Sequence, residues 1–388
     1  MKKVIVFVAA AAALVACSKS EVTPALNSAD TEISYLVAPK TKAAETTPTF
    51  LRTWKFKSTA YYLESSKSWA NNHSNAVKYI DSVSVSWNSS ESVWRNATKK
   101  YYWPKAGKLT FFAWTSLNLT QISAAMGTGT NEVVKPTETQ ATKYVSTSDL
   151  FSLTDGVNIS DYNVTTNKNV DFLVADIKAD QTANNEGAAD PVYNTKGVPT
   201  LFRHKLSEVF FSLQTKDAYD YESKDGITFT VNSIKFIGID QVGTYKQGVD
   251  ATTCLGAWTN TDGVATTNDQ TYYSTTSGVK VTTTTTPLVA SASDQQYYYL
   301  PQDFAAQTAG SETKDYFVVN YTIKYANGTT ETIEQKCILN NSTTANTIFD
   351  KWEMGKRYTI NLKFSLNEIL WDPAVVEWED ANKEITVQ

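Results

Sequence analysis

The sequence predicts an all-β protein, and three features of its patterning lead to that fold class. Apolar and polar residues alternate with a period of two in many short runs, as they do on strands with one buried face. Thr, Tyr, Val and Phe, which pack well on a pleated surface, dominate those runs. No long apolar stripe repeats every 3.6 residues, so we expect few and short helices.

The alternation can be followed from one predicted strand to the next. In 317–325 it places five apolar residues on one face, and the Asn327-Gly328 pair that follows predicts a tight type I′ hairpin turn. The segment 109–114 is apolar on both faces, which predicts a central strand buried on two sides. The other clearly alternating segments are, in chain order, 33–37, 82–87, 227–231 and 358–366.

Loop and boundary signals lie between these runs. The stretch 179–194 is rich in Ala, Asn and Asp, and it divides the chain into two halves of similar size. Each half contains enough predicted strands for a β-sandwich. The polar stretch 259–278 has little to bury and is expected to be a loop.

The composition excludes several classes of function. With 35 basic and 40 acidic residues in 388, the chain has a formal net charge of −5 and no basic block, which argues against nucleic-acid binding. Its two histidines, His73 and His204, cannot form a multi-histidine zinc site, and no motif supplies either with a nucleophile. We therefore expect no enzyme activity, no metal and no cofactor.

The N-terminus has the pattern of an export signal. Lys2 and Lys3 precede an apolar run of 13 residues, 4–16, which is shorter than the ~20 residues that cross a bilayer. Residues 1–16 therefore indicate a signal peptide. The run ends in Leu14-Val15-Ala16-Cys17, which resembles the bacterial lipobox, and that resemblance implies a lipoprotein lipidated, as with palmitate, on Cys17. The alternative is an ordinary signal peptide with a coincidental cysteine.

Other residues leave alternatives open. Cys254 and Cys337 are compatible with a disulfide in an oxidising compartment or with two buried thiols. Glu377, Glu379 and Asp380 are compatible with a glycosidase carboxylate pair, but charges on a solvated strand edge are the favoured interpretation. Aromatic residues, 12% of the chain, are compatible with sugar stacking or, as we favour, with core packing.

The chain resembles the fimbrillin family of Bacteroides-type pilins, also called type V pilins. The resemblance begins with the lipobox and extends to the C-terminal region, and the order and spacing of its pieces make it specific. The matching stretches are Thr31-Glu32-Ile33-Ser34-Tyr35, Thr41-Lys42-Ala43, Tyr101-Tyr102-Trp103-Pro104, 107–114, 171–175, 202–209, Leu300-Pro301-Gln302 and 371–378.

This resemblance implies two transthyretin-like β-sandwich domains in tandem. Their expected limits are 43–190 and 191–388, preceded by a lipidated propeptide, 17–42. It also places 202–209 on an early strand of the second domain, which makes His204 a structural residue.

The resemblance further implies maturation by an Arg- or Lys-directed protease, which removes the first strand and opens a groove for a strand from another subunit. The expected removable strand carries Ile33, Tyr35 and Val37, and Lys42 is the expected cleavage residue, with Lys40 and Arg52 as alternatives. The expected donor strand includes four residues: Val375, Glu377, Ile385 and Val387.

The function implied is that of a structural pilin subunit of outer-membrane fimbriae that serve adhesion. Its expected partners are other pilin subunits, in a homopolymer with tip or anchor subunits, a maturation protease and the outer membrane, through the lipid on Cys17. The alternative is a surface lipoprotein that does not polymerise, either a fimbrial anchor or tip subunit or an adhesin that binds glycan or a host ligand.

Overall fold

Strands account for most of the computed structural model, which describes residues 32–37, 52–126, 133–141, 150–183, 197–252, 255–261, 269–288, 296–308, 310, 312–341, 349–366 and 369–377. Within these residues the α-helices are α1 (Trp69–Asn72) and α2 (Tyr221–Asp225). The predicted all-β class and the shortness of the helices are confirmed. No helix in the described part of the chain is long and apolar enough to cross a membrane.

The strands of the N-terminal half are β1 (Tyr35–Val37), β2 (Lys55–Leu63), β3 (Val77–Asn88), β4 (Val93–Asn96), β5 (Lys108–Met126), β6 (Val133–Gln140), β7 (Phe151–Ser152), β8 (Gly156–Asn163), β9 (Val170–Ala175) and β10 (Lys178–Gln181). The strands of the C-terminal half are β11 (Val198–Thr200), β12 (Phe202–His204), β13 (Ser207–Thr215), β14 (Thr228–Ile237), β15 (Val242–Lys246), β16 (Ala257–Thr261), β17 (Gln270–Lys280), β18 (Thr286–Pro287), β19 (Tyr298–Tyr299), β20 (Gln302–Asp303), β21 (Tyr316–Lys324), β22 (Thr330–Ile338), β23 (Lys351–Trp352), β24 (Lys356–Phe364) and β25 (Ile369–Glu377).

The first sheet has the strand order β11-β1-β4-β3-β2-β5-β9-β12, and β6 and β10 also pair with β5. Its central strand β5 is buried on both faces, as predicted for 109–114. Leu109, Phe111 and Ala113 face one apolar cluster, whereas Phe112 and Trp114 face a second cluster that continues into the C-terminal half. Successive side chains of this segment point to opposite faces, and both faces are apolar, so the segment lies at the centre of the sheet.

Two further sheets form a sandwich in the C-terminal half. One has the order β18-β13-β24-β25 with β19 added on β13, and the other has the order β17-β14-β21-β22. Aromatic side chains pack between them: the Phe211 ring lies 5.2 Å from that of Phe317, and the Tyr321 ring lies 5.4 Å from that of Phe364. The apolar residues of the predicted stripes in 317–323 and 358–364 thus face this core, whereas Leu366, the last apolar residue of the second stripe, is exposed.

The strands cross the division predicted at residues 190 and 191. β11 and β12, which follow it, belong to the first sheet, and β8 pairs with β15 in a separate small sheet of order β16-β15-β8-β7. The expectation that 202–209 forms one early strand of a second domain is wrong. Phe202–His204 pairs with β9, whereas Ser207–Thr215 begins the next sheet and pairs with β24.

Two local expectations also differ from the structure. The β21–β22 hairpin is present, but of the pair Asn327-Gly328 only Gly328 has a positive φ, 85°, so the turn is not type I′. The stretch 259–278, expected to be a loop, contains the start of β17. Tyr272 of β17 is fully buried, with its ring 4.6 Å from that of Phe211, so the stretch does have a side chain to bury.

Candidate functional site

The segment 32–37, which ends in the strand β1, is inserted between two partners, one along each edge. On one edge β1 pairs in parallel with β11, in the register Tyr35 to Val198 and Val37 to Thr200. On the other edge Tyr35 pairs antiparallel with Trp94 of β4, and the Ile33 amide donates to the Tyr101 carbonyl at 2.7 Å. We call the space between β4 and β11 that this strand fills the β1 groove.

The floor of the β1 groove is apolar and aromatic. Ile33 and Tyr35 are each 3% exposed and point into the first apolar cluster, as the predicted alternation requires. The Tyr35 ring meets Phe56 and Phe111 edge-on, with ring centroids 5.5 and 5.9 Å apart, and burial raises the pKa of Tyr35. Val37 is half-buried at the end of the strand.

Gly197 allows the backbone of the inserted strand to come close to β11. The Val198 amide donates to the Ser34 carbonyl at 2.8 Å. Gly197 has φ of +113°, and a Cβ there would lie 2.8 Å from the backbone carbonyl carbon and oxygen of Ser34. A side chain at this position would therefore clash with whichever strand occupies the groove. Pro199 is tolerated because β11 is an edge strand of the sheet.

A cationic cluster, which we define as Arg95 and Lys100, holds the start of the inserted segment. The Glu32 carboxylate lies 3.0 Å from Arg95 Nη1 and 2.9 Å from Lys100 Nζ. Burial acts to raise the pKa of Glu32, but hydrogen bonds and positive charge from Lys100 and Arg95 outweigh it and lower that pKa. Arg95 also pairs with Glu91, so it does not depend on Glu32 alone.

Acid is expected to loosen this end of the strand. Because the pKa of Glu32 is lowered in the folded chain, its contribution to stability is present above the unfolded carboxyl pKa of about 4.3 and is lost as pH falls through the folded value. Hydrogen exchange of the Ile33 amide, corrected for intrinsic rates, should therefore accelerate more between pH 5 and pH 3 in the native chain than in Glu32→Gln. Equal acceleration in the two proteins would contradict this role of Glu32.

Of the three expected cleavage residues, Arg52 lies within the described part of the chain. Lys40 and Lys42 are outside the described residues, as is Cys17. Arg52 is exposed just before β2, and its guanidinium carbon lies 4.3 Å from the centre of the Trp87 ring. The connection between Val37 and Arg52 comprises residues 38–51, and a cut within it would leave only non-covalent contacts to hold β1.

Two of the four expected donor residues lie within the described part of the chain. Val375 and Glu377 lie on β25, opposite Tyr358 and Lys356 of β24 in the same chain. Their backbone is therefore already paired within the C-terminal sheet. Ile385 and Val387 lie outside the described residues, and so do Glu379 and Asp380.

Two buried charged pairs, one in the first sheet and one in the C-terminal sandwich, influence each other electrostatically. His204 Nδ1 lies 2.5 Å from Asp171 Oδ2, and Arg357 Nε lies 2.6 Å from Glu208 Oε2. Burial raises the pKa of Glu208 although Arg357 and His204 act to lower it. The His204 and Asp171 side chains are both fully buried, which fits the structural role expected for His204.

Within the described residues no group of His, Cys, Asp or Glu has the arrangement of a metal site. His73 Nδ1 lies 3.3 Å from the Trp69 carbonyl, at the end of α1. Cys337 is a buried free thiol, and burial raises its pKa to about 12. Cys254 lies outside the described residues, but because Cys337 is free, it is not joined to Cys254 by a disulfide.

The aromatic residues serve mainly as core. A cavity of about 190 Å³ beside α2 is lined by Tyr219 and Tyr221, but the Lys224 ammonium lies 4.5 Å from the centre of the Tyr219 ring. The Glu222 and Lys280 side chains are paired with each other on the same wall. This aromatic face is thus already partly covered, which disfavours it as a platform for stacking a sugar.

The residues that define the β1 groove are only partly those that the sequence singled out. Tyr35 and Val37 lie on β1 and Ile33 lies just before it in the same inserted segment, whereas nothing in the sequence alone marks Glu32, Gly197 and the cationic cluster as parts of a site. The motif Gly197-Val198-Pro199, a glycine before a short β-prone run, is the signal that could have indicated a strand edge.

Comparison with known sequence families gives one match. The sequence model of the family described as fimbrillin-like matches residues 61–378, which is more than half of the chain. A search of the curated proteins finds no match.

The solved structures that match this chain include fimbrial proteins. A fimbrial protein from Bacteroides vulgatus superposes with a TM-score of 0.53 at 16% identity, over 89% of this chain and 99% of that one. The tip fimbrial protein Mfa3 from Porphyromonas gingivalis, with a C-terminal truncation, matches at a TM-score of 0.35 and 7% identity, over 89% and 100%. The first superposition shows a shared fold.

Proposed function

The chain belongs to the fimbrillin-like family, and on that premise we propose that it is a structural pilin subunit that polymerises by β-strand exchange. Membership of this family supports a fimbrial or adhesive role at the cell surface. The finer proposal has three parts: export as a lipoprotein anchored through Cys17, proteolytic release of β1, and filling of the vacated β1 groove by a strand of another subunit.

The observation that carries the proposal is the position of β1 between two strands. Removing it would expose backbone groups of β4 and β11 and the side chains of Phe56 and Phe111. Unpaired backbone groups above an apolar floor are what an extended segment recognises in β-strand addition. β1 is short, and residues 38–51 are its only covalent link to β2.

Strand exchange of this kind forms a filament because the donor and the acceptor surfaces differ. The acceptor is the β1 groove of one subunit, and the proposed donor is the segment 383–388 of another. A head-to-tail contact between different surfaces repeats without closing on itself. The expected partners are further copies of this chain, with a tip or anchor subunit at the ends.

Limited proteolysis tests this function directly. The precursor lacking residues 1–17 is treated with trace trypsin, the new N-terminus is sequenced, and the product is run unboiled on a denaturing gel. We expect cleavage after Lys42, with Lys40 and Arg52 as neighbouring alternatives, followed by a ladder of resistant oligomers. Deleting 383–388 should leave the cut unchanged and remove the ladder.

Two outcomes would contradict the proposal. One is a chain that resists cleavage between β1 and β2, and the other is a cleaved chain that releases β1 but stays monomeric. Either would favour a fimbrial anchor or tip subunit, or a surface lipoprotein that binds glycan or a host ligand. A ladder that persists after deletion of 383–388 would show that the donor segment lies elsewhere.

A further inference from the structure

The C-terminal segment repeats the residue types of the segment that fills the β1 groove. The inserted segment reads Glu32-Ile33-Ser34-Tyr35, and the C-terminal segment reads Glu384-Ile385-Thr386-Val387. Each has a carboxylate, then isoleucine, then a hydroxyl residue, then a residue with high β-propensity. In the inserted segment the second and fourth residues are buried and the first pairs with the cationic cluster.

We propose that Glu384 of one subunit takes the place of Glu32 in the groove of the next, where it pairs with Arg95 and Lys100. Ile385 and Val387 then occupy the positions of Ile33 and Tyr35. The incoming strand has the direction of β1, parallel to β11 and antiparallel to β4. This inference rests on the proposed strand exchange, and it adds the register, the direction and the residues that fix both.

The need for a replacement carboxylate follows from the charges around Glu32. Arg95 and Lys100 lie beside each other and share the Glu32 carboxylate, with Glu91 as a further partner of Arg95. When the released segment leaves, it takes Glu32 with it and leaves this pair of cations short of one negative charge. An incoming carboxylate in the same place restores the balance, which favours one register over its neighbours.

Neighbouring registers are disfavoured by what they would bury. Sliding the segment by two residues in one direction would place Lys383 in the buried position of Ile33. A register that uses Glu377 in place of Glu32 would place Asp380 in the buried position of Tyr35. A lysine or aspartate without a partner on an apolar floor is costly, and a slip by a single residue turns all the side chains to the wrong face.

Polymerisation kinetics of the trypsin-cleaved chain test the register. Glu384→Lys replaces attraction to the cationic cluster by repulsion and should slow ladder formation by about tenfold at low salt. Glu379→Lys makes the same change in charge at a residue that precedes the segment placed in the groove, so it should leave the rate near that of the native chain. High salt should reduce the difference between the two variants, because it screens exposed charges.

A charge swap separates this pairing from a general effect of charge. Lys100→Glu alone should also slow assembly, and Lys100→Glu combined with Glu384→Lys should recover most of the native rate. Val387→Tyr should assemble at least as fast as the native chain, because the pocket already accommodates Tyr35.

The outcomes distinguish this inference from the proposed function. If the native cleaved chain forms the ladder but Glu384→Lys and Glu379→Lys behave alike, the register is wrong and strand exchange stands. Failure of the charge swap to recover assembly would likewise overturn the pairing. If the native cleaved chain forms no ladder, the proposed function fails first.

Discussion

Tyr35→Ala is expected to detach the segment 32–37 from the β1 groove while the rest of the fold remains. Truncating a buried aromatic side chain to alanine costs about 3–5 kcal/mol, and a short strand can open locally at less than the cost of global unfolding. Protection of the Val198 amide, which donates to Ser34, should therefore fall by about a hundredfold or more. Hydrogen exchange resolved by NMR measures this loss.

Phe56→Ala is the matched control, because Phe56 contacts Tyr35 but lies on β2, a strand that the chain retains. It should lower the urea midpoint for unfolding of the first sheet, followed by Trp fluorescence, clearly more than Tyr35→Ala does. If the two substitutions shift that midpoint equally, β1 is an integral strand of the fold, and the account of it as replaceable is wrong.

Arg357→Leu is expected to destabilise the chain by about 3–5 kcal/mol, because it leaves the Glu208 carboxylate buried without its cation. The loss should be measured by chemical denaturation with far-UV circular dichroism. The expected cause is the uncompensated charge, so the double variant Glu208→Leu with Arg357→Leu should recover most of the stability. A double variant as unstable as the single one would show that packing, and not charge, explains the loss.

The effect of pH on Arg357→Leu follows from the direction of the Glu208 shift. Burial already raises the pKa of Glu208 in the native chain, and removing Arg357 takes away a group that lowers it. A folded pKa above the unfolded value gives stability that is present at low pH and lost as pH rises through the folded value. Arg357→Leu should therefore approach native stability as pH falls from 7 towards 5.

The alternation of residue types predicted those strands whose own residues show which of their faces are buried. The segment 109–114 could be assigned to the centre of a sheet because its own residues are apolar on both faces, and β5 confirms it. Alternation at Ile33 and Tyr35 likewise predicted which side chains are buried. Successive side chains of a β-strand point to opposite faces, so the sequence of a strand indicates which face is buried even when its partner strands are unknown.

The partners of β1 could not be predicted in the same way. β4 lies about 60 residues along the chain and β11 more than 150, and nothing in the residues 33–37 specifies either edge. The sequence shows Glu32 only as part of a family motif, because its role depends on Arg95 and Lys100, which only the fold brings to it. A polar stretch such as 179–194 marks a connection and does not specify which sheet the next strands join, so the sequence could not predict that β11 and β12 belong to the first sheet.

Hydrogen exchange on the two edges of the β1 groove tests the central claim most directly. The amides that face the groove, such as that of Val198 on β11 and that of β4 opposite Tyr35, should be protected in the precursor, exchange rapidly in the cleaved chain that lacks 383–388, and be protected again in the cleaved, assembled full-length chain. Protection that persists in the cleaved chain without 383–388, once 18–42 has been shown to have dissociated, would contradict the account, because the groove edges would then need no strand between them.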